Sequence, residues 1–222
     1  MAQTVLCVAP HPDDETLGCG GTLLRHIDMG DAVHWYIFSE MREPNFTQVA
    51  IQKRKEEIKA VAKNFGFKSV SVGPFECARL DTYPISDLVD DVGSIVKELK
   101  PDIIYLPYRD DAHSDHKAVF DSTVACAKWF RFPSVKSVRA YETVSETEFG
   151  LKPARVGFRP NLWMDVSAYM ERKIEIMRLY ESEIKPHPFP RSEDNLRALA
   201  TIRGASSGFV AAEAFEILKE IR

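Results

Sequence analysis

The 222-residue chain is short of several things, and each shortage narrows what it can be. It carries four cysteines, Cys7, Cys19, Cys77 and Cys126, and no CxxC pair. Cys7 and Cys126 fall in apolar patterns, which suits small buried residues in a reducing compartment better than a disulfide framework or a cysteine metal cluster. No apolar run reaches the ~20 residues of a membrane-spanning helix. The opening "MAQTVLCVAP" lacks the basic segment and apolar core of a secretory leader, so the cytoplasm is the expected location. There is no basic run. Twenty-nine Lys+Arg against 33 Asp+Glu give a net charge of -4, which argues against nucleic acid as a partner. Internal repeats and low-complexity segments are also missing.

What is present is enough for a core: 45% of residues are hydrophobic and 28% charged. Short apolar runs alternate with amphipathic stretches. Strands are predicted at Thr4–Ala9, Ala32–Phe38, Ser69–Phe75, Asp102–Tyr108 and Val135–Thr143. Between them, helices are predicted over Thr16–Met29, Phe46–Phe65, Ser86–Lys100 and Asp115–Phe130. Phe46–Phe65 has a clear stripe, Ile51, Ile58, Val61, Ala62 and Phe65, and ends at Gly66 as a C-cap. Ser86 is read as an N-cap and Pro101 as a stop. This alternation predicts an α/β, Rossmann-like fold: a mostly parallel sheet with helices on both faces. Residues 1–150 read as the catalytic core.

After Gly150 the organisation changes, and residues 151–222 read as a smaller C-terminal extension packed on the core and shaping its pocket. A strand is expected within Phe158–Val166, and helices over Ala168–Ile184 and Glu193–Arg203. Proline-rich "KPHPFPRS" lies between the helices, with His187 a weaker candidate for the pocket wall. The end, "GFVAAEAFEILKEIR", is helical by composition and strand-like by its place after a glycine-rich turn.

Chemistry concentrates in two places. "APHPDDETLGCGG" follows the first strand, and "RDDAHSDH" follows the fourth. Both fall at the carboxyl ends of strands, where sheets of this kind bind ligands. Histidine and carboxylate together suit zinc or a similar divalent ion, with three protein ligands and a position left for water. One further Asp could take a proton from that water, and one further His could donate one. His11, Asp13, Asp14, His113, Asp115 and His116 supply the whole set. Spacing alone does not say which of Asp13 and Asp14 would hold a metal. Alone, "HPDD" would read equally well as a turn capping the next helix. A plain dinucleotide-binding domain would need GxGxxG where "HPDDET" stands.

These blocks, His11-Pro12-Asp13-Asp14-Glu15 and His113-Ser114-Asp115-His116, resemble those of the LmbE/PIG-L family of metal-dependent deacetylases, which act on N-acetylglucosamine-type sugars. Arg54 and Glu57, three apart on the second helix, Asp81 in "RLDTY" and the late "AEAF" agree with it. The likeness is firm over the first two thirds and looser after Gly150. It implies His11, Asp14 and His116 as metal ligands, with one Zn2+ per chain, or Fe2+ in its place. It implies Asp13 as general base, His113 as general acid or oxyanion stabiliser, and Asp115 as the carboxylate orienting a histidine. Some members carry a Tyr two residues before the first His of HxDH; Asp111 stands there in this chain.

The expected reaction is removal of an N-acetyl group from a 2-acetamido sugar or its conjugate. The expected partner is a small-molecule amino sugar, and a homo-oligomer is left open. The alternatives are a metal amidase acting on a non-acetyl amide such as a thiol–sugar conjugate, or a catalytically silent metal-binding scaffold. Arg54 and Asp81 are the substrate-binding candidates, each against a plainer role, ion pairing with Glu57 and a turn. "GCGG" is read as letting its helix approach the sheet closely. His26 and His34 are read as ordinary helix-surface and strand residues. Trp129, Phe130 and Phe132 are read as core or an oligomer contact.

Overall fold

The computed structural model describes residues 2–151 and 157–222. Five strands run parallel: β1 (Thr4–Ala9), β2 (Ala32–Glu40), β3 (Ser69–Glu76), β4 (Ile103–Pro107) and β5 (Ser137–Tyr141). Two more, β6 (Leu162–Asp165) and β7 (Ala212–Glu220), extend the same sheet antiparallel, in the order β3-β2-β1-β4-β5-β7-β6. The helices are α1 (Asp14–Asp28), α2 (Gln48–Phe65), α3 (Ile85–Leu99), α4 (Ser114–Val124), α5 (Met170–Met177) and α6 (Glu193–Ala205). None of them is long and apolar enough to cross a membrane. The chain moves from β1 outward to β3 and then returns to β4 on the other side of β1. That reversal opens a crevice at the carboxyl ends of β1 and β4.

The central strands are hydrophobic throughout because helices cover both faces. On β1, Val5, Cys7 and Ala9 join one core with Leu17, Trp35, Val61, Tyr141 and Ile174. Leu6 and Val8 point the other way, into a core with Phe38, Leu88, Val92 and Val119. Each fully buried aliphatic side chain of this kind stabilises the fold by ~1.5–3 kcal/mol, so β1 is a rigid base for the loop that follows it.

α1 is broken at Cys19, whose backbone leaves the helical region (φ -143°, ψ 17°). The break exposes helix-end groups inside the protein, and a buried ion pair satisfies them. The Glu213 carboxylate on β7 accepts from the backbone N–H groups of Gly21 (2.9 Å) and Thr22 (2.7 Å). Lys173 on α5 donates to Glu213 (2.7 Å) and to the Leu17 carbonyl (2.9 Å). Glu213 belongs to the "AEAF" stretch, so the end of the chain fixes the helix that starts the site. A Cβ at Gly18 would lie 2.2 Å from the Tyr141 ring and one at Gly21 2.8 Å from Val166, in agreement with close approach as the reason for the glycines.

Several predicted elements shift. α3 starts at Ile85, with Pro84 rather than Ser86 at its N-cap, and Lys100 turns left-handed (φ 50°) before Pro101. The fourth helix ends at Val124 and tightens into a 3₁₀ turn, Ala125–Ala127, instead of running to Phe130. Trp129 and Phe130 are exposed, and of the three aromatics there only Phe132 is core. α5 stops at Met177, eight residues long, because the chain tightens there to carry Tyr180 inward. The ambiguous C-terminus is a strand: pairing with β5 and β6 overrides its Ala/Glu composition. His26 is buried, not on the helix surface, with Nδ1 2.7 Å from Asp31 and Nε2 3.0 Å from the Tyr105 hydroxyl.

Candidate active site

The loop after β1 and the loop after β4 meet in the crevice, and each enters a helix at once. Asp14 opens α1, and Ser114 to His116 open α4. The Asp14 carboxylate oxygen lies 3.5 Å from His11 Nδ1 and 3.5 Å from His116 Nε2. One ligand atom from each of His11, Asp14 and His116 falls within 4.8 Å of the others. The second nitrogen of each histidine is held by its own carboxylate. His11 Nε2 lies 2.9 Å from Asp115, and His116 Nδ1 lies 2.7 Å from Asp111. A carboxylate can only accept, so each neutral ring keeps its proton on that side and turns its lone pair toward Asp14. These carboxylates are fixed in turn. Asp115 accepts from the backbone N–H groups of Ala78 (2.7 Å) and Leu80 (2.9 Å), and Asp111 from the Thr147 hydroxyl (2.6 Å).

The electrostatics favour a cation at this point. Burial opposes charge on His116, yet the Asp14 charge and hydrogen bonds to Asp111 and Asp14 push its pKa up to about 10. Burial likewise opposes charge on His11, and Asp115 and Asp14 raise it well above the ordinary histidine value. Asp14 is held well below the usual carboxylate range, because His116 and His11 outweigh its burial. Two oriented imidazoles and one ionised carboxylate fit a divalent ion by number, donor type and spacing.

Asp13 sits beside that group with a backbone φ of 134°, which a residue with a Cβ adopts only under constraint. Its N–H donates to Glu15 (3.0 Å), and its carboxylate meets Arg191 at 2.8 Å. It occupies the N-cap position of α1 without capping it, so the capping-turn alternative does not describe "HPDD". Burial, then the neighbouring Asp14 charge, raises its pKa well above the usual range against the pull of Arg191. Glu15 is fully buried and also accepts from the hydroxyls of Thr16 (2.5 Å) and Tyr180 (2.8 Å). Burial lifts its pKa to about 7, and those donors limit the rise.

His113 is the N-cap of α4: its Nδ1 accepts from the Asp115 N–H at 3.1 Å. The neutral ring therefore carries its proton on Nε2. Burial first, then the charge on His11, lowers its pKa. Its ring packs edge-on against His11, with centroids 4.6 Å apart.

His11, Asp13 and His113 line a cavity of about 380 Å³ whose walls include Arg54, Glu183 and Arg191. Arg54 stands at the cavity and makes the ion pair expected of it. It lines the cavity, and it pairs with Glu57 (3.2 Å) and Glu183 while donating to the Pro12 carbonyl (3.0 Å). Asp81 is not brought here. It is exposed on the 3₁₀ turn Leu80–Thr82, and that turn reaches the site through the backbone N–H of Leu80 instead. His187 is exposed and stays out of this cavity, whereas Arg191 from the same proline-rich segment enters it. Sequence reading gave no role to Glu15, Asp111, Tyr180, Glu183 or Arg191. Only Glu15 and Asp111 carried a signal, as acids inside the two blocks.

The family model described as PIG-L, GlcNAc-PI de-N-acetylase, matches residues 6–127, more than half of the chain. Diacetylchitobiose deacetylase of Thermococcus kodakarensis is 26% identical over 235 residues, covering 98% of this chain and 84% of that one. A probable N-acetyl-alpha-D-glucosaminyl L-malate deacetylase 2 of Bacillus cereus is 28% identical over 127 residues, 53% of this chain and 58% of its own. The solved structure of N,N'-diacetylchitobiose deacetylase from Pyrococcus horikoshii superposes with a TM-score of 0.78 at 22% identity, covering 98% of this chain and 84% of that one, which carries the fold. The chain belongs to the PIG-L family of de-N-acetylases.

Proposed function

We propose that this protein is a metal-dependent hydrolase that removes the N-acetyl group from a 2-acetamido sugar of the N-acetylglucosamine type, releasing acetate and a free amine. The observation that carries the reading is the convergence of His11, Asp14 and His116 beside a buried Asp13 that stands outside their donor group and lines an open cavity. The deacetylase names of the relatives support the acetamido sugar over a non-acetyl amide. We assign His11, Asp14 and His116 as the ligands of one zinc-like divalent ion. Such an ion, when bound, polarises the acetyl carbonyl and acidifies the attacking water.

The chain's own residues then divide the remaining work. Asp13 takes a proton from the water as its oxygen attacks the acetyl carbon; a raised pKa makes it the better base. Arg191 holds that carboxylate in place. His113 donates its Nε2–H to the developing oxyanion, a contact worth on the order of 3 kcal/mol. The hydrogen bond that His113 accepts from Asp115 favours this neutral-donor role over that of a charged acid. The proton collected by Asp13 passes to the nitrogen as the C–N bond breaks. Arg54 contacts sugar hydroxyls.

In this reading residues 1–150 form the catalytic core and 151–222 shape the pocket, which the entry of Glu183 and Arg191 into the cavity wall supports. A reducing compartment such as the cytoplasm suits thiols like Cys7 and Cys19, 3.6 Å apart and unbridged. The test is elemental analysis after dialysis. The wild-type protein is expected to keep one divalent ion per chain and His116→Ala to lose most of it, together with acetate release. Full occupancy in His116→Ala would overturn the ligand assignment.

A further inference from the structure

A second group of metal-type donors stands behind the first. A ring nitrogen of His11, an Asp115 oxygen and the Cys77 sulfur lie within 4.8 Å of one another, and Nε2 is the His11 nitrogen that lies 2.9 Å from Asp115. The backbone explains why the thiol is there. Cys77 ends the extension of β3, its N–H donated to the Glu40 carbonyl at 3.0 Å. Ala78, next in the chain, is left-handed at φ 62°, a conformation unfavourable for a residue with a Cβ. Its N–H is pinned to Asp115 at 2.7 Å. The carboxylate that orients His11 thus also holds the turn that presents Cys77. Cys77 is half-buried and lines the cavity, so an ion can reach it, unlike fully buried Cys7, Cys19 and Cys126.

We propose that Cys77, His11 and Asp115 form a second, thiolate-containing metal site, which takes a thiophilic divalent ion such as cadmium or zinc once the ion exceeds one per chain. The donor set of one sulfur, one imidazole nitrogen and one carboxylate oxygen selects soft and borderline ions over magnesium or calcium. Two protons leave to solvent on binding, one from the Cys77 thiol and one from His11 Nε2. His11 would then be shared between the two donor groups, and its hydrogen bond to Asp115 would be lost. Occupation therefore loosens a ligand of the first ion and places a cation in the cavity wall, so turnover falls as the second site fills. This rests on the metal-dependent reading above, with Nδ1 of His11 serving the first ion.

The experiment is a cadmium titration of protein already loaded with one zinc per chain, followed by the ultraviolet thiolate-to-cadmium charge-transfer band. The band is expected to grow with the second equivalent in the wild type and to be lost in both Cys77→Ala and Cys77→Ser. In the wild type, which needs no variant to fold, the second equivalent should protect one thiol from iodoacetamide, and peptide mass mapping should identify it as Cys77. No band at the second equivalent, a band that survives in both variants, or protection of a different cysteine would overturn the proposal. Failure of the deacetylase reading is separately visible, as absence of acetate release at one equivalent whatever the band does.

Discussion

Asp111 and His116 are five residues apart in the chain, and a carboxylate oxygen of the first lies 2.7 Å from Nδ1 of the second. Asp111 is buried, and its other oxygen takes the Thr147 hydroxyl, so neither the carboxylate nor the ring can turn freely. The family-like pattern places a tyrosine at this position in some members. Here the residue works on the histidine from behind. Asp111→Ala is expected to weaken metal binding by roughly 10–100-fold, the usual cost of losing a partner that orients a ligating histidine. Competition against a chromophoric chelator measures it. Unchanged affinity would show that Asp111 plays no part in holding His116.

Gly18→Ala should destabilise the fold. The added Cβ would sit 2.2 Å from the Tyr141 ring, and that ring is tied down by its hydroxyl donating to the Val8 carbonyl at 3.0 Å. Overpacking against a fixed group costs ~1–3 kcal/mol. Denaturant unfolding followed by circular dichroism should show the midpoint falling, and a midpoint equal to wild type would mean that α1 and β5 separate more easily than their packing implies.

His26 gives a pH dependence with a definite sign. Burial lowers its pKa, and Asp31 opposes this only in part. The native state therefore keeps the ring neutral at pH values where the unfolded chain, near the ordinary histidine value of about 6.5, already binds a proton. The stability that depends on neutral His26 is complete above that value and is lost as the pH falls through the depressed native pKa. In His26→Gln this loss is absent. The difference in thermal midpoint between wild type and His26→Gln should shrink on acidification from about pH 7.5 to about 5. A difference that grows in acid would mean that His26 is charged in the native state.

Much of this molecule was legible in the chain because its information is local. The five parallel strands announce themselves as short apolar runs, and β1 was readable to the residue. "HPDDE" and "HSDH" put all six of the proposed catalytic and ligand side chains in two short words, and the strand–helix alternation sets both words at one sheet edge. What was not legible is carried by contacts between distant residues. Arg191 reaches Asp13 across 178 positions, and Tyr180 reaches Glu15 across 165. No local pattern encodes either pairing. The C-terminal strand was hidden by an Ala/Glu composition that favours helix, and only its pairing with β5 and β6 settles it. Asp81 failed for the opposite reason: its position after β3 was right, but the turn offers a backbone N–H to the site and points this side chain to solvent.

That Asp13 is the base of a metal-dependent N-deacetylase is tested most directly by acetate release from an N-acetylglucosamine conjugate, measured on wild type and Asp13→Asn with the metal content of each sample determined alongside. Asp13→Asn removes the proton acceptor while leaving His11, Asp14 and His116 in place. The variant should hold one ion per chain, as the wild type does, and release acetate ~100-fold more slowly or worse, the scale of losing a general base. Near-normal acetate release by metal-replete Asp13→Asn would contradict the assignment of Asp13 as the base.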